Sequence, residues 1–411
     1  MVAAGCGAHP PAQTFAVVPS RSPAIRVALA SFRWPLDPAL ASTRDETTLA
    51  RMLYSTPLRT DEREQVVPGL CTDWSEADGF RVWQFHCTNA PSIAAELRRV
   101  TRLPASPAYW IFSAAQRIVA PAPRTLLVRL CFPWRRFPYA LTVVAAAPRF
   151  VPGPFRLVRG SPTRVVLRRN GVTLVFRRIS GLPALRAFRR GELDELPVPL
   201  GDMGNFRAFP RLIHVRPLLA LDAVRFRDDR VPVAVRRVYW RTADRTDYQT
   251  LVPEGGATAA LGVAATSERA DPAAYRRAVR SIPTLPPIPV RIAVPTDPTL
   301  RYGARILFAQ WRELGLGAHL VSTGSTAEAD FGRALATYPQ EEALLGALGV
   351  ATALGEDEQQ AAFAALDTRL RSRAAVIPVC WVADARLVSP RLAGWREDVL
   401  GNVDYTQVRL R

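Results

Sequence analysis

The chain has 411 residues, 48% of them hydrophobic and 22% charged, which fits a globular protein with one large core or two to three lobes and excludes a disordered chain. All 54 basic residues are arginine and the formal charge is +18. The densest basic-aromatic runs, Pro133 to Tyr139 (PWRRFPY) and Arg236 to Arg241 (RRVYWR), match no nucleic-acid motif, so the excess reads as GC-rich codon bias on a solvated surface. The longest apolar run, Leu141 to Ala147, falls far short of the roughly 18 to 20 residues that span a bilayer, so the body of the protein is expected to be water-soluble.

In chain order, Ile25 to Leu29 alternates like a strand and is broken by Trp34-Pro35-Leu36-Asp37-Pro38. Thr48, Leu49, Met52 and Leu53 then fall at helical spacing, with Asp45 and Glu46 near the expected N-terminus. Val66 to Trp74 and Phe80 to Cys87 flank Asp78-Gly79, the dipeptide of a hairpin turn. From Thr125 to Phe176 the pattern is mostly short alternating strands and reads as one sheet-rich lobe. A short helix follows, with Leu182, Leu185 and Phe188 on one face and Gly191 at its end.

The clearest local architecture is a βαβ unit. A strand from Ile288 to Val294 leads into a helix capped by Asp297 with Pro298 at its first position. Leu300, Ala304, Leu307, Phe308, Trp311 and Leu314 form its apolar face, and Gly315-Leu316-Gly317 ends it before the strand His319 to Val321. A last helix from about Glu356 to Arg371 returns into Val376 to Val379. The fold class is therefore α/β.

Catalytic signatures are absent: there is no GxSxG, GxGxxG or GxxxxGK[ST], and Glu254-Gly255-Gly256 is a lone glycine pair that suits a turn. The five cysteines make no CxxC, and His9, His86, His214 and His319 are scattered singly, so neither a metal nor a cofactor is expected. Val2-Ala3-Ala4-Gly5-Cys6 resembles the end of a bacterial lipobox, with a Pro/Ala/Ser-rich tether after it to about Pro23. A complete export signal needs a charged and an apolar stretch ahead of that cysteine, so a lipid anchor on Cys6 expects the natural chain to start upstream of Met1; otherwise Cys6 is a free thiol near the N-terminus.

A colinear series of short segments resembles the family 5 extracellular solute-binding proteins of ABC importers. Leu36-Asp37-Pro38, Met52-Leu53-Tyr54, Val67-Pro68-Gly69-Leu70 with Trp74, and Phe85-His86 stand where that family has its LDP, NLYEGL, VPGLAxSW and FHLR segments. Gly153-Pro154-Phe155, Leu167-Arg168-Arg169-Asn170 and Gly191-Glu192-Leu193-Asp194 follow in order. Phe226 with Asp229-Arg230-Val231, Ala243-Asp244-Arg245, Ile377-Pro378, Ser389-Pro390 and Gly394-Trp395 complete the series.

The resemblance implies a two-lobed periplasmic-binding-protein-like fold (type II, cluster C) with an extra domain inserted near the N-terminus. It divides the chain into a tether (1–23), lobe I (24–53, 153–220 and 375–411), the inserted domain (54–152) and lobe II (221–374). It implies a non-enzymatic lipoprotein of the cell envelope, expected to be monomeric, that captures a peptide-like or other small solute between its lobes and passes it to a membrane permease. No nucleic-acid partner is implied. The candidate ligand contacts are Tyr54, Thr337, Tyr338 and Trp381. Two departures, the missing WSDGxPVTAxD stretch after Cys87 and a short segment between Tyr338 and Pro378, keep a second reading open: a surface scaffold that retained the fold without transport.

An exported location permits a disulfide between Cys71 and Cys87, which lie eight residues each side of Gly79 on the arms of the hairpin. Peptide-binding members of the family carry a DYP segment whose aspartate pairs with the peptide's α-ammonium group. The matching stretch here is Thr337-Tyr338-Pro339, with uncharged Thr337 in the aspartate's place. Glu341 and Glu342 are the nearby carboxylates; they either compensate or cap the next helix.

Overall fold

The computed structural model describes residues 22–199, 203–206, 209–227, 230–251, 257–263, 272–282, 289–323, 326–349 and 363–411. Cys6, Glu254-Gly255-Gly256 and the first part of the expected helix 356–371 lie outside them. Strand β1 (Ala24–Leu29) sends Ile25, Val27 and Leu29 into one apolar cluster and Ala28 into another on its opposite face. The helix Arg44–Leu53 starts at a reciprocal capping box between Thr43 and Glu46, which satisfies backbone donors that a helix N-terminus otherwise leaves unpaired.

Two short strands, β2 (Leu58–Thr60) and β3 (Val66–Pro68), pair with each other. A four-stranded antiparallel sheet follows, built from β4 (Cys71–Ala77), β5 (Val82–Cys87), β6 (Ala115–Ala122) and β7 (Thr125–Leu130) in the order β4-β5-β7-β6. Its hairpin turns at Asp78 and Gly79, both at positive φ, a conformation that glycine and aspartate accept at low cost. The helix Ala90–Val100 covers the sheet with Ile93, Leu97 and Val100, which are buried against Phe85, Leu126 and Val128.

The register of β4 and β5 sets Cys71 opposite Cys87, and the two are joined by a disulfide. Closing a loop of about 15 residues is worth roughly 3 kcal/mol in the chain-entropy model. The Cys71→Ala/Cys87→Ala protein is expected to lose about that much in urea denaturation, and non-reducing peptide mapping of the parent that finds both thiols free would rule the bridge out.

The expectation of one sheet-rich lobe from Thr125 to Phe176 is corrected. Strand β7 closes the four-stranded sheet, whereas β8 (Arg156–Gly160), β9 (Arg164–Arg169) and β10 (Val172–Arg178) form one edge of a separate, larger sheet. Proline-punctuated turns and the short helix Phe137–Ala140 carry the chain from one sheet to the other. Pro152 then bridges back to Tyr54, so the excursion begins and ends at one point. Glycine is needed there, because a Cβ on Gly153 would lie 2.5 Å from the Tyr54 backbone nitrogen.

The large sheet is completed by β11 (Glu195–Pro197), β12 (Ile213–Phe226), β13 (Ala257–Ala259), β14 (Val290–Val294), β15 (Ala318–Ser322), β16 (Ala329–Leu335) and β17 (Val376–Val388). Its order is β15-β14-β16-β12-β17-β11-β1-β10-β9-β8, with β13 on β17. Strands β14 and β15 are parallel and joined by the helix Pro298–Glu313. Asp297 accepts from the Leu300 N–H at 2.9 Å, and Leu300, Ala304, Leu307, Phe308 and Trp311 face the core. The helix Gly181–Arg189 buries Ala184, Leu185, Ala187 and Phe188, while Leu182 is 48% exposed and does not belong to its apolar face as expected. Two alanines let that helix sit close to the sheet.

Strands β12 and β17 join the two halves of the sheet. Ile213 to Pro217 pairs with the part of β17 that also meets β11, and Ala220 to Phe226 pairs with β16 as well. The pairing is irregular between Pro217 and Leu221, where the Leu219 N–H instead donates to the Val399 carbonyl at 2.8 Å.

A buried ion cluster secures the C-terminal segment beside this crossing. Arg386, 1% exposed, donates from Nε to Asp384 at 2.9 Å and Glu397 at 3.2 Å, from Nη2 to the Gly401 carbonyl at 3.0 Å, and from Nη1 to Glu195. Glu195 also accepts from Trp395 Nε1 and the Tyr405 hydroxyl, each at 2.8 Å, and Arg44 pairs with Asp384. Burial pushes the Glu397 carboxyl above its usual range, and its hydrogen bond to ionised Asp384 adds to this. Burial also opposes charge on Asp384, but Arg44 and Arg386 outweigh it and hold that group low. With Glu397 protonated, two guanidiniums balance two carboxylates. β18 (Leu392–Ala393) and β19 (Arg409–Leu410) close the segment as a two-stranded ladder.

Candidate functional site

Strand β16 presents Ala329 and Phe331 to one face, packed on the helix Pro298–Glu313, and Ala334 to the other. On that second face Leu221 of β12 lies opposite Ala334, and Trp381 of β17 lies opposite Leu221. Where β16 ends, the Ala336 N–H donates to the Leu219 carbonyl at 2.9 Å, which ties Thr337 and Tyr338 to the crossing point of β12.

Tyr338 is fully buried between rings from the four-stranded-sheet unit. Trp110 stacks on it with centroids 6.2 Å apart and planes at 26°, and Tyr139 lies 6.4 Å away at 30°. Trp134 backs Trp110 at 6.0 Å. Trp110 also packs against the helix Ala343–Ala347, where a Cβ on Gly346 would fall 1.8 Å from its ring. Arg136 donates to Glu342 at 2.6 Å across the same contact. One apolar cluster therefore runs without a break from the core of the four-stranded sheet to Ala334, Ala336, Leu344 and Leu345. Two surface depressions, one of ≈ 370 Å³ beside Arg98 and Arg102 and one of ≈ 230 Å³ beside Arg237 and Arg241, include none of these residues.

Three buried polar atoms at this contact, Trp110 Nε1, Thr337 Oγ1 and the Tyr338 hydroxyl, have no hydrogen-bond partner among the described residues. Buried polar groups are rarely left so, since each costs about 1–3 kcal/mol. Burial pushes the Tyr338 hydroxyl well above its usual pKa, which keeps it a donor. Burial also raises Glu342, against the opposing effect of Arg136. Glu342 stands at the start of the helix Ala343–Ala347 but makes no side-chain cap there; its carboxyl is engaged by Arg136.

Of the expected contacts, Thr337 and Tyr338 lie within this arrangement, and half-buried Trp381 packs against the same apolar cluster. Tyr54 sits elsewhere: it packs in the cluster with Trp34 and Leu53, and its hydroxyl donates to the Leu36 carbonyl at 3.0 Å. Sequence reasoning missed Trp110, Trp134, Arg136 and Tyr139. The signal for three of them was the run Pro133 to Tyr139, which was weighed only as a nucleic-acid feature.

By sequence, no family model matches the chain and no curated protein matches it. Solved structures do resemble it. The murein tripeptide-binding protein MppA of Escherichia coli is 16% identical over 94% of this chain and 98% of its own, with a TM-score of 0.76. The Haemophilus influenzae protein OppA, in complex with the peptide RPPGFSPFR, is 14% identical over 96% of this chain and 100% of its own, with a TM-score of 0.77. The chain has the fold of the family 5 solute-binding proteins. The Helicobacter pylori ABC transporter-associated protein DppA, bound to the peptide STSA, agrees at 14% identity over 94% of this chain and 98% of its own, with a TM-score of 0.74. Trp110 and Tyr338 meet where the four-stranded-sheet unit touches the end of β16.

Proposed function

We propose that this chain is the extracytoplasmic solute-capturing component of an ABC importer, which closes its lobes on a peptide-like solute and delivers it to a permease. The observation that carries this reading is the match of fold along 94–96% of this chain and 98–100% of the relatives. In this reading lobe I comprises 24–53, 153–220 and 375–411, the inserted domain 54–152 and lobe II 221–374. Bending at the irregular pairing near Leu219 opens and closes them, and solute shifts the population toward the closed form. Cys6 carries the lipid that holds the protein at the membrane.

The ligand differs from an ordinary peptide. Thr337 offers no charge to an α-ammonium group, and Glu342 is already paired with Arg136. A desolvated ammonium without a carboxylate loses on the order of 3–5 kcal/mol, a few hundredfold or more in affinity. The aromatic surround of Thr337 and Tyr338 suits a solute whose amino end is blocked or missing. Titration calorimetry with a di- to pentapeptide library, free and N-acetylated, tests this. Acetylated peptides are expected to bind at least as tightly as free ones; submicromolar binding that disappears on acetylation contradicts the reading.

A second reading, a scaffold that kept the fold without transport, is favoured by one observation. Trp110 already fills the space over Tyr338 and Gly346. It predicts that no peptide or peptide-like solute in such a library binds at all.

A further inference from the structure

The positive charge is not spread along the chain. Residues 97–191 hold 19 arginines and no aspartate or glutamate, while the rest of the chain carries 35 basic and 36 acidic side chains and is close to neutral. Codon bias alone would distribute the excess. Some arginines of the stretch are matched by acids from elsewhere, as Arg99 is by Asp37 and Arg136 by Glu342. Arg177 of β10 also reaches Glu192 at 3.9 Å, but Arg156, Arg159, Arg164 and Arg168 on the edge of the large sheet have no such match among the described residues.

On the outer face of that edge, Arg156 of β8 lies directly opposite Arg168 of β9, Arg159 lies opposite Val166, and Arg164 lies opposite Arg177 of β10. Arg156, Arg159, Arg164 and Arg168 are all exposed, and none has an acidic partner within ion-pair distance among the described residues. Side chains directly opposite across an antiparallel pair have Cβ atoms about 4.5–5.5 Å apart, and like charges there destabilise the sheet. Charge on an edge strand guards against strand pairing with another chain, which accounts for β8 but not for Arg164 and Arg168 on the second strand. Beside the arginines, Val158 is 53% exposed at the register shift between Leu157 and Arg159, while Leu157 pairs with buried Leu167 on the opposite face.

The start of the first strand falls at the same place. Ala24, the first residue of β1, lies opposite Thr173, Thr173 opposite Arg168, and Arg168 opposite Arg156, in one row. Cys6 precedes Ala24 by 18 residues. If these residues form the tether expected from the sequence and behave as a random coil, they span roughly 20–25 Å on average.

We propose that the outer face of β8, β9 and β10 docks on anionic phospholipid headgroups. Guanidinium groups bind phosphate in a two-pronged geometry, and exposed Val158 at the edge suits the boundary between headgroups and acyl chains. A membrane uses both features, whereas a nucleic acid uses only the arginines. The tether argument rests on the lipid anchor proposed above; the charge pattern does not.

The test is co-sedimentation of unlipidated full-length Cys6→Ser protein with phosphatidylcholine vesicles, with and without phosphatidylglycerol. Binding is expected only with phosphatidylglycerol and is expected to weaken with salt. Each arginine near an anionic surface is worth about 1 kcal/mol, so replacing Arg156, Arg159, Arg164 and Arg168 by glutamine is expected to weaken binding at least about a hundredfold. Replacing exposed Arg276, Arg301, Arg305 and Arg312 of the other lobe by glutamine changes net charge equally and is expected to leave binding within about threefold. Circular dichroism checks that both variants fold. The proposal is overturned by equal binding to both vesicle types, by binding to neither, by equal loss in the two variants, or by duplex DNA displacing the protein from vesicles. Calorimetry with peptides on the same proteins is independent of all these outcomes and reports separately on solute capture.

Discussion

Replacing Arg386 by methionine is expected to destabilise the protein by about 3–5 kcal/mol in urea denaturation followed by tryptophan fluorescence. The substitution keeps volume and apolar stem but removes the cation shared by Glu195, Asp384 and Glu397. Arg44 remains for Asp384, so Glu195 is left as a carboxylate with no charge partner in a site shielded from water. Glu397→Gln provides the contrast. Burial keeps Glu397 protonated when folded, so a neutral amide is expected to cost less than about 1 kcal/mol at neutral pH.

The same pair of variants carries a pH signature. Because burial raises the folded pKa of Glu397 from the ordinary 4.5 to about 9, between those values the folded state retains a proton that the unfolded state has released. Its contribution to stability therefore falls as pH rises across that window. Glu397→Gln is expected to flatten this slope. A cost as large as that of Arg386→Met would mean that Glu397 is ionised in the fold.

The second large effect is expected from Gly346→Ala. In a helix this change should stabilise by about 1 kcal/mol. Here the new Cβ meets the Trp110 ring at 1.8 Å, and overpacking of that kind costs about 1–3 kcal/mol. The strain is relieved when the four-stranded-sheet unit and the helix Ala343–Ala347 separate. Solute affinity is expected to fall about tenfold to a hundredfold, with a larger radius of gyration in solution scattering. Adding Trp110→Ala should return the scattering to the parental value, because the clash has lost one partner. An unchanged radius of gyration and affinity in Gly346→Ala would mean that Trp110 does not pack there in solution.

Much of the fold was legible because its signals are local. The βαβ unit announces itself through Asp297, Pro298, the spacing of Leu300 to Trp311 and Gly315, and each does in the structure what its chemistry suggests. The hairpin at Asp78-Gly79 is legible for the same reason. The split of the Thr125 to Phe176 strands between two sheets is not, since alternation reports that a strand has an apolar face but not which sheet that face joins. Leu182 shows a related limit: Ala184 and Ala187 pack closer than a leucine can, and helical spacing alone does not rank them.

The candidate site was only partly legible. Thr337, Tyr338 and Trp381 were reached through order along the chain, but their neighbours come from about 200 residues away in sequence. Trp110 carries no local mark; only the glycine at 346 and the tyrosine at 338 give its ring a role. Tyr54, at the boundary of the excursion, has a hydrogen bond and packing of its own, apart from Tyr338.

The central claim, capture of a solute between the lobes, is tested most directly by native mass spectrometry of the full-length protein isolated from its own cell envelope. The account predicts one small organic solute bound one-to-one, released on unfolding, unreactive toward amine-labelling reagents, and lost from the Gly346→Ala variant. A protein that carries no solute, and binds none when its native extract is added back, would contradict it.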